Sequence, residues 1–258
     1  MKRRNFMKAA GALSMVPAMG MASSLKGYTV SSGAKEIYEW RIYTLTGDGN
    51  VLDSFLKDVL IPACNRKNIK AGAFRLYKDG EKEQRHVLFI YPDIEAFLMM
   101  KKTIWEDAVF RRESDAFYRL TASDPVYSNF ESYLSEAFDK IPAHRLPDPS
   151  RTLFEIRIYH SPNEEANLRK VRMFNKEEID LFDKVAINSV LYGNILAGPR
   201  MPALLYLTWY HDEETRSEAW KKFVSHPEWK RMSSLPEYAN TATNNQSIFL
   251  SPMPYSQL

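Results

Sequence analysis

Cysteine is almost missing from this chain: Cys64 stands alone in 258 residues. A lone thiol cannot build an internal disulfide framework, and without a second cysteine there is no cysteine-rich zinc or iron–sulfur site. Cys64 itself lies in the apolar stretch Leu60-Ile61-Pro62-Ala63-Cys64, the setting of a buried, inert thiol. Histidine is sparse as well. The five, at positions 86, 144, 160, 211 and 226, form no i,i+4 pair and no His-x-His, so a histidine metal site has little support. His226, just before Pro227, reads as a helix cap, and His86 as a core or rim residue of a strand. No nucleophile elbow, phosphate loop or dinucleotide fingerprint is present. A strong charge of either sign is lacking too. Of the formal +3, Lys2, Arg3, Arg4 and Lys8 contribute four positive charges, and without them the chain carries −1. That is not the electrostatic footprint of a nucleic-acid binder.

Long apolar runs are also wanting. The stretch Ala9 to Met21 is too short for a comfortable membrane span. It follows Lys2-Arg3-Arg4-Asn5-Phe6-Met7-Lys8 and ends in Gly20-Met21-Ala22, so it resembles a bacterial twin-arginine signal with a cleavage site near Ala22. The resemblance implies export to the periplasm and no stable membrane insertion afterwards; the stretch over 23–35, with Ser23, Ser24, Ser31, Ser32 and Gly33, reads as a polar leader. What remains is ordinary globular composition, with 45% apolar, 26% charged and 13% aromatic residues.

The most informative stretch occurs twice. Ile37-Tyr38-Glu39-Trp40-Arg41-Ile42-Tyr43 returns as Leu153-Phe154-Glu155-Ile156-Arg157-Ile158-Tyr159, with Glu-x-Arg-x-Tyr preserved. The alternation is that of a half-buried strand, with Glu39, Arg41 and Tyr43 on one face and Tyr38, Trp40 and Ile42 on the other. After it the periodicity predicts a helix over 51–68 kinked at Pro62, and strands over 73–77 and 86–91 joined by a turn at Lys78-Asp79-Gly80-Glu81. A helical region over 94–118 and a strand over 127–134 close the unit. The second copy predicts a strand over 152–159, a helix over 163–184 broken near Asn175, strands over 189–197 and 203–210, a helix after Asp212 and a strand over 247–253. Each is a βαββαβ, ferredoxin-like unit, domain 1 over 36–140 and domain 2 over 151–258, separated by a proline-rich linker over 141–150. Tyr91 pairs with Tyr210, and Ser132 with Ser251, at a common spacing of 119.

These residues resemble the NIPSNAP family within the dimeric α/β-barrel superfamily. The resemblance is carried by Tyr38-Glu39-Trp40-Arg41-Ile42-Tyr43 and its copy, by Leu204 to Tyr210 with Trp220-Lys221-Lys222-Phe223, and above all by His226-Pro227-Glu228-Trp229-Lys230. Domain 1 departs from the last motif, having Asp107-Ala108-Val109-Phe110 there, so the two halves are not expected to be equivalent. The implied fold is α+β: two tandem ferredoxin-like units forming an intrachain pseudo-dimeric barrel. Packing sheet against sheet would turn Glu39, Arg41, Tyr43, Glu155, Arg157 and Tyr159 into the barrel interior and bring Arg75, Tyr77 and Tyr192 beside them.

That polar set, with Tyr206, Trp209 and Tyr210, is the expected ligand surface for a small aromatic or carboxylated molecule. Equally, each glutamate can pair with an arginine in a purely structural network. The superfamily also implies a cofactor-independent or haem-linked monooxygenase or isomerase, with Trp209 beside the substrate. For haem, the helix position that would need a histidine carries Met232 or Ser233 instead. A third reading is a structural or partner-binding scaffold. Expected partners are thus a small molecule and a further copy of the chain, and no nucleic acid.

Overall fold

In a computed structural model, residues 34–78, 83–120 and 123–258 are described. The expected signal segment lies outside them, as does the core of the Lys78–Glu81 turn. Eight strands close into one barrel in the order β1-β3-β2-β8-β5-β7-β6-β4. They are β1 (Ile37–Leu45), β2 (Lys70–Leu76), β3 (Gln84–Tyr91), β4 (Tyr127–Ala137), β5 (Leu153–His160), β6 (Asn188–Ala197), β7 (Ala203–Tyr210) and β8 (Asn244–Pro252). Four consecutive strands of each half lie side by side with the first strand inside, as in a ferredoxin-like unit. The halves meet edge to edge at two seams, β2 with β8 and β4 with β6. At the second seam Gly193 has no Cβ where Ser135 comes closest.

Helices cover the outside. In the first half α1 (Asn50–Phe55) and α2 (Ile61–Asn65) are joined by a π-helical turn at Leu56–Leu60. Pro62 does not break this helix, because it sits in the first turn after the π segment, where its missing N–H leaves little unsatisfied. The second half has the same device without a proline, α5 (Glu164–Met173) and α6 (Ile179–Lys184) joined by a π turn at Phe174–Glu178. The break expected near Asn175 is that turn. The single helical region expected over 94–118 is two helices, α3 (Ile94–Thr103) and α4 (Ala108–Tyr118), because the Asp107 side chain accepts from Phe110 N–H and starts a new helix. Its counterpart pair is α7 (Glu213–Ser225) and α8 (Pro227–Ser233), with His226 as the cap in between. Among the described residues no helix is long and apolar enough to cross a membrane.

Strand register decides which face is inside, and it reverses the expectation. Tyr38, Trp40 and Ile42 of β1 and Phe154, Ile156 and Ile158 of β5 point into the barrel, where they form one apolar cluster with side chains from all the other strands. Across it Phe74 of β2 meets Phe154 edge to face at 4.9 Å. The Glu-Arg-Tyr faces therefore turn outward, beneath the helices. The physical reason is size and dryness: an eight-stranded barrel is only wide enough for side chains to fill, and large apolar residues fill it without unpaired charge. The charged triplets instead find partners on the covering helices.

Register also corrects one pairing of the duplication. Ser132 lies opposite Arg41, and it is Ser247, not Ser251, that lies opposite Arg157.

Candidate functional site

On the outer face of β1, Glu39 is almost fully buried yet charged. Its carboxylate accepts from Arg41 Nε at 2.9 Å and Nη2 at 3.1 Å, Tyr91 Oη at 2.8 Å, Lys101 Nζ at 2.9 Å and Ser132 Oγ at 3.3 Å. Burial pushes its pKa up, but Arg41 and Lys101 more than offset this and hold it at about 2. Arg41 also donates through Nη1 to Tyr43 Oη at 3.2 Å. Its guanidinium stacks over Phe89 at 4.7 Å and over Phe130 at 5.4 Å, both measured to the ring centroid.

Above this network, between β1, β3 and β4 and the helices α1 to α4, lies a cavity of about 270 Å³. Arg41, Tyr43 and Lys101 supply its polar wall, and Cys64, Phe110 and Trp105 are among the side chains that complete it. Trp105 is half exposed, at 51%. Cys64 is buried, which pushes its thiol up to about 12 and keeps it protonated and inert.

The second half repeats the network and lacks the space. Glu155 accepts from Arg157 Nη1 at 2.7 Å, Arg216 Nε at 2.9 Å and Nη2 at 2.8 Å, and Ser247 Oγ at 2.6 Å. Burial works to raise the Glu155 pKa, and the hydrogen bonds from Arg216, with the Arg157 charge, lower it overall. Tyr159 and Tyr206 share a hydrogen bond of 2.8 Å, and Trp220 Nε1 donates to Tyr210 Oη at 3.0 Å.

Two positions account for the difference. The caps of α3 and α7, Asp93 and Asp212, are 119 positions apart, which puts Trp220 where the first half has Lys101 and Arg216 where it has Phe97. The π turns are 118 positions apart, which puts Phe182 where the first half has Cys64. Phe182 and Trp220 meet edge to face at 5.7 Å. Cys64 and Lys101, at the same two places, leave the first-half cavity open between them.

The expected site residues thus divide into separate groups. Glu39, Arg41 and Tyr43 belong to the first-half site, while Glu155, Arg157, Tyr159, Tyr206 and Tyr210 lie in the packed layer of the second half. The filled barrel lies between the two groups. Trp209 is on the opposite face of β7, packed against the barrel cluster. Arg75 is exposed, and Tyr77 and Tyr192 join the second-half packing. The haem expectation finds no fit at the place it named, because Met232 is fully buried in that packing and its exposed neighbour Ser233 carries a hydroxyl and not a histidine's ring nitrogen. Among the described residues no group of three or more His, Cys, Asp or Glu side chains could hold a metal ion. Lys101 is not singled out by the sequence, and Cys64 is read there only as a buried, inert thiol; aligning the two halves on Asp93 and Asp212 brings Lys101 into view as a lysine at the position where the second half has Trp220.

Comparison with known proteins agrees with the fold. A structure from Fusobacterium nucleatum, of a protein named as a candidate monooxygenase, aligns with a TM-score of 0.54 at 10% identity, over 85% of this chain and 93% of its own. One from Lactobacillus acidophilus with the same designation aligns with a TM-score of 0.55 at 10% identity, over 84% and 94%. An uncharacterised NIPSNAP-like domain protein from Burkholderia xenovorans is 22% identical over 42% of this chain and 90% of its own, with a TM-score of 0.38. No curated protein sequence matches the chain. The NIPSNAP family model matches residues 154–257. The second half of the chain is thus similar to the NIPSNAP family, and the first half repeats the same fold.

Proposed function

We propose that the first-half cavity binds one small aromatic or carboxylated molecule and that the second half serves as its scaffold. The observation that carries this reading is the asymmetry of a duplicated layer: the same space is open beside Lys101 and Cys64 and filled by Trp220 and Phe182. Small-molecule sites are concave, mostly apolar and furnished with a few placed polar groups, and this cavity answers that description at a volume of about 270 Å³, just under the usual range of roughly 300–1,000 Å³. This reading puts the site in the layer between sheet and helices and not in the barrel interior, which apolar side chains fill.

Native mass spectrometry of the protein purified from its own host tests the reading. A retained small molecule that is absent from a Cys64→Phe variant supports it, whereas parent and variant that each show only the mass of their own chain, free of adducts, count against it. Turnover of that molecule by the purified protein would make the site an active site.

The proposal includes export. Its basis is the Lys2-Arg3-Arg4-Asn5-Phe6 segment and the apolar run behind it. Cell fractionation is the check: the chain should reach the periplasm, and replacing both Arg3 and Arg4 by lysine should leave it in the cytoplasm.

A further inference from the structure

We infer that the molecule taken by the first-half cavity is an anion, an aromatic acid of two or three fused rings whose carboxylate sits against Lys101 and Arg41. The inference rests on the cavity being a ligand site at all. Its first support is the inventory of the wall, which among the described residues contains two cations, Arg41 and Lys101, and no carboxylate. The nearest acid, Glu39, is not part of the wall and is engaged by five hydrogen bonds from four residues. One carboxylate therefore answers two cations, and one positive charge is left over beside an apolar space.

Donors remain as well as charge. Arg41 has five N–H groups, of which three are used by Glu39 and Tyr43 among the described residues. Lys101 uses one of its three, on Glu39. A carboxylate accepts from several donors at once, so the unused N–H groups of the two side chains suit it better than they suit a neutral carbonyl.

The second half shows what the alternative looks like. There one carboxylate, Glu155, also faces two arginines, and the extra charge is covered by rings. Arg157 lies over Trp220 at 4.4 Å, and Arg216 over Trp220 at 5.3 Å and over Phe249 at 5.1 Å. In the first half Arg41 lies over Phe89 and Phe130 and Lys101 over Phe97 at 5.2 Å, but α3 carries Lys101 where α7 carries Trp220, so the space which that ring fills in the second half is left for a ring brought by the ligand. The rest of the wall suits such a ring, since Phe89 and Phe130 already flank the Arg41 plane. At the packing density of protein interiors, a cavity of about 270 Å³ takes roughly 200 Å³ of ligand, the scale of a small fused-ring acid.

The test uses 2-naphthoate and its neutral isostere 2-naphthamide, titrated calorimetrically into the exported form of the protein. Naphthoate should bind about tenfold or more tighter than the amide, the advantage of a charge-assisted contact. Lys101→Met should remove most of that preference and leave the amide unchanged, and Lys101→Arg should restore it. If the amide binds and naphthoate binds no better, or if Lys101→Met weakens both alike, the anion inference is overturned while the cavity stands as an apolar site. If neither probe binds the parent protein, the ligand-site reading falls together with it.

Discussion

Cys64 and Phe182 occupy the same turn of the same helix in the two halves, 118 positions apart, and one lines a cavity while the other fills it. The exchange is large in volume and costs no hydrogen bond. It leaves one half of a duplicated layer with a cavity and the other filled, above the same kind of sheet.

Cys64→Phe should therefore close the first-half cavity in the manner of the second half. Binding of 2-naphthamide should weaken at least about tenfold, with stability changed by no more than about 1–3 kcal/mol in either direction, since space is being filled and not overfilled. Calorimetry and urea unfolding on the same sample give both quantities. Unchanged amide affinity in a folded variant would show that the probe binds elsewhere.

Lys101 and Trp220 share a helical position and should answer truncation differently. Trp220→Ala removes a ring packed on Arg157 and Phe182 and should cost about 3 kcal/mol. Lys101→Ala removes a half-exposed partner of Glu39, leaves Arg41 in place, and should cost about 1 kcal/mol or less. Denaturant midpoints of the two variants measure the contrast. Equal losses would mean that Lys101 is structural and not held open for a ligand.

Much of this architecture could be read from the two heptads. Alternation at Glu39-x-Arg41-x-Tyr43 and Glu155-x-Arg157-x-Tyr159 establishes strands, and their spacing establishes a duplication that closes into a barrel. Alternation says that two faces differ; it does not say which one turns inward. That depends on how the sheets meet, and they meet by strand edges at β2–β8 and β4–β6, not by their polar faces. The division of α3 from α4 was missed because an aspartate in mid-helix sequence is an ambiguous sign, whereas Pro227 marks the equivalent break plainly. The cavity was illegible for another reason. It arises from small differences in size at Cys64 and Lys101, far apart in sequence and adjacent only after folding.

Glu39 should be the costliest polar residue to remove. Glu39→Gln leaves Arg41 and Lys101 against each other without a buried counter-charge, and a loss of about 3–5 kcal/mol is expected. Its acid behaviour follows from the depressed pKa. The ionised form is favoured in the folded state, so its contribution is complete above the unfolded value of 4.5 and drains away as pH falls toward about 2. Urea midpoints taken between pH 5 and pH 2.5 should fall more steeply for the parent than for Glu39→Gln.

His86 governs a different pH window. Its ring is buried inside the barrel, where Nδ1 accepts from Trp40 Nε1 at 3.2 Å and Nε2 faces Gln84 Oε1 at 3.3 Å. The first contact requires an unprotonated Nδ1, which places the single ring proton on Nε2. Burial holds the pKa down at about 3, against 6.5 for an ordinary histidine. In the unfolded chain the same ring takes up a proton near 6.5, so the folded state is disfavoured progressively as pH drops from 6.5 toward 3, by up to about 1.4 kcal/mol per pH unit. Above 6.5 the penalty is absent. His86→Gln keeps an acceptor for Trp40 and removes the ionisation. The variant should lose less stability than the parent between pH 7 and pH 5, a range in which Glu39 remains charged in both, and unfolding curves at those two values with equal losses would place the acid sensitivity elsewhere.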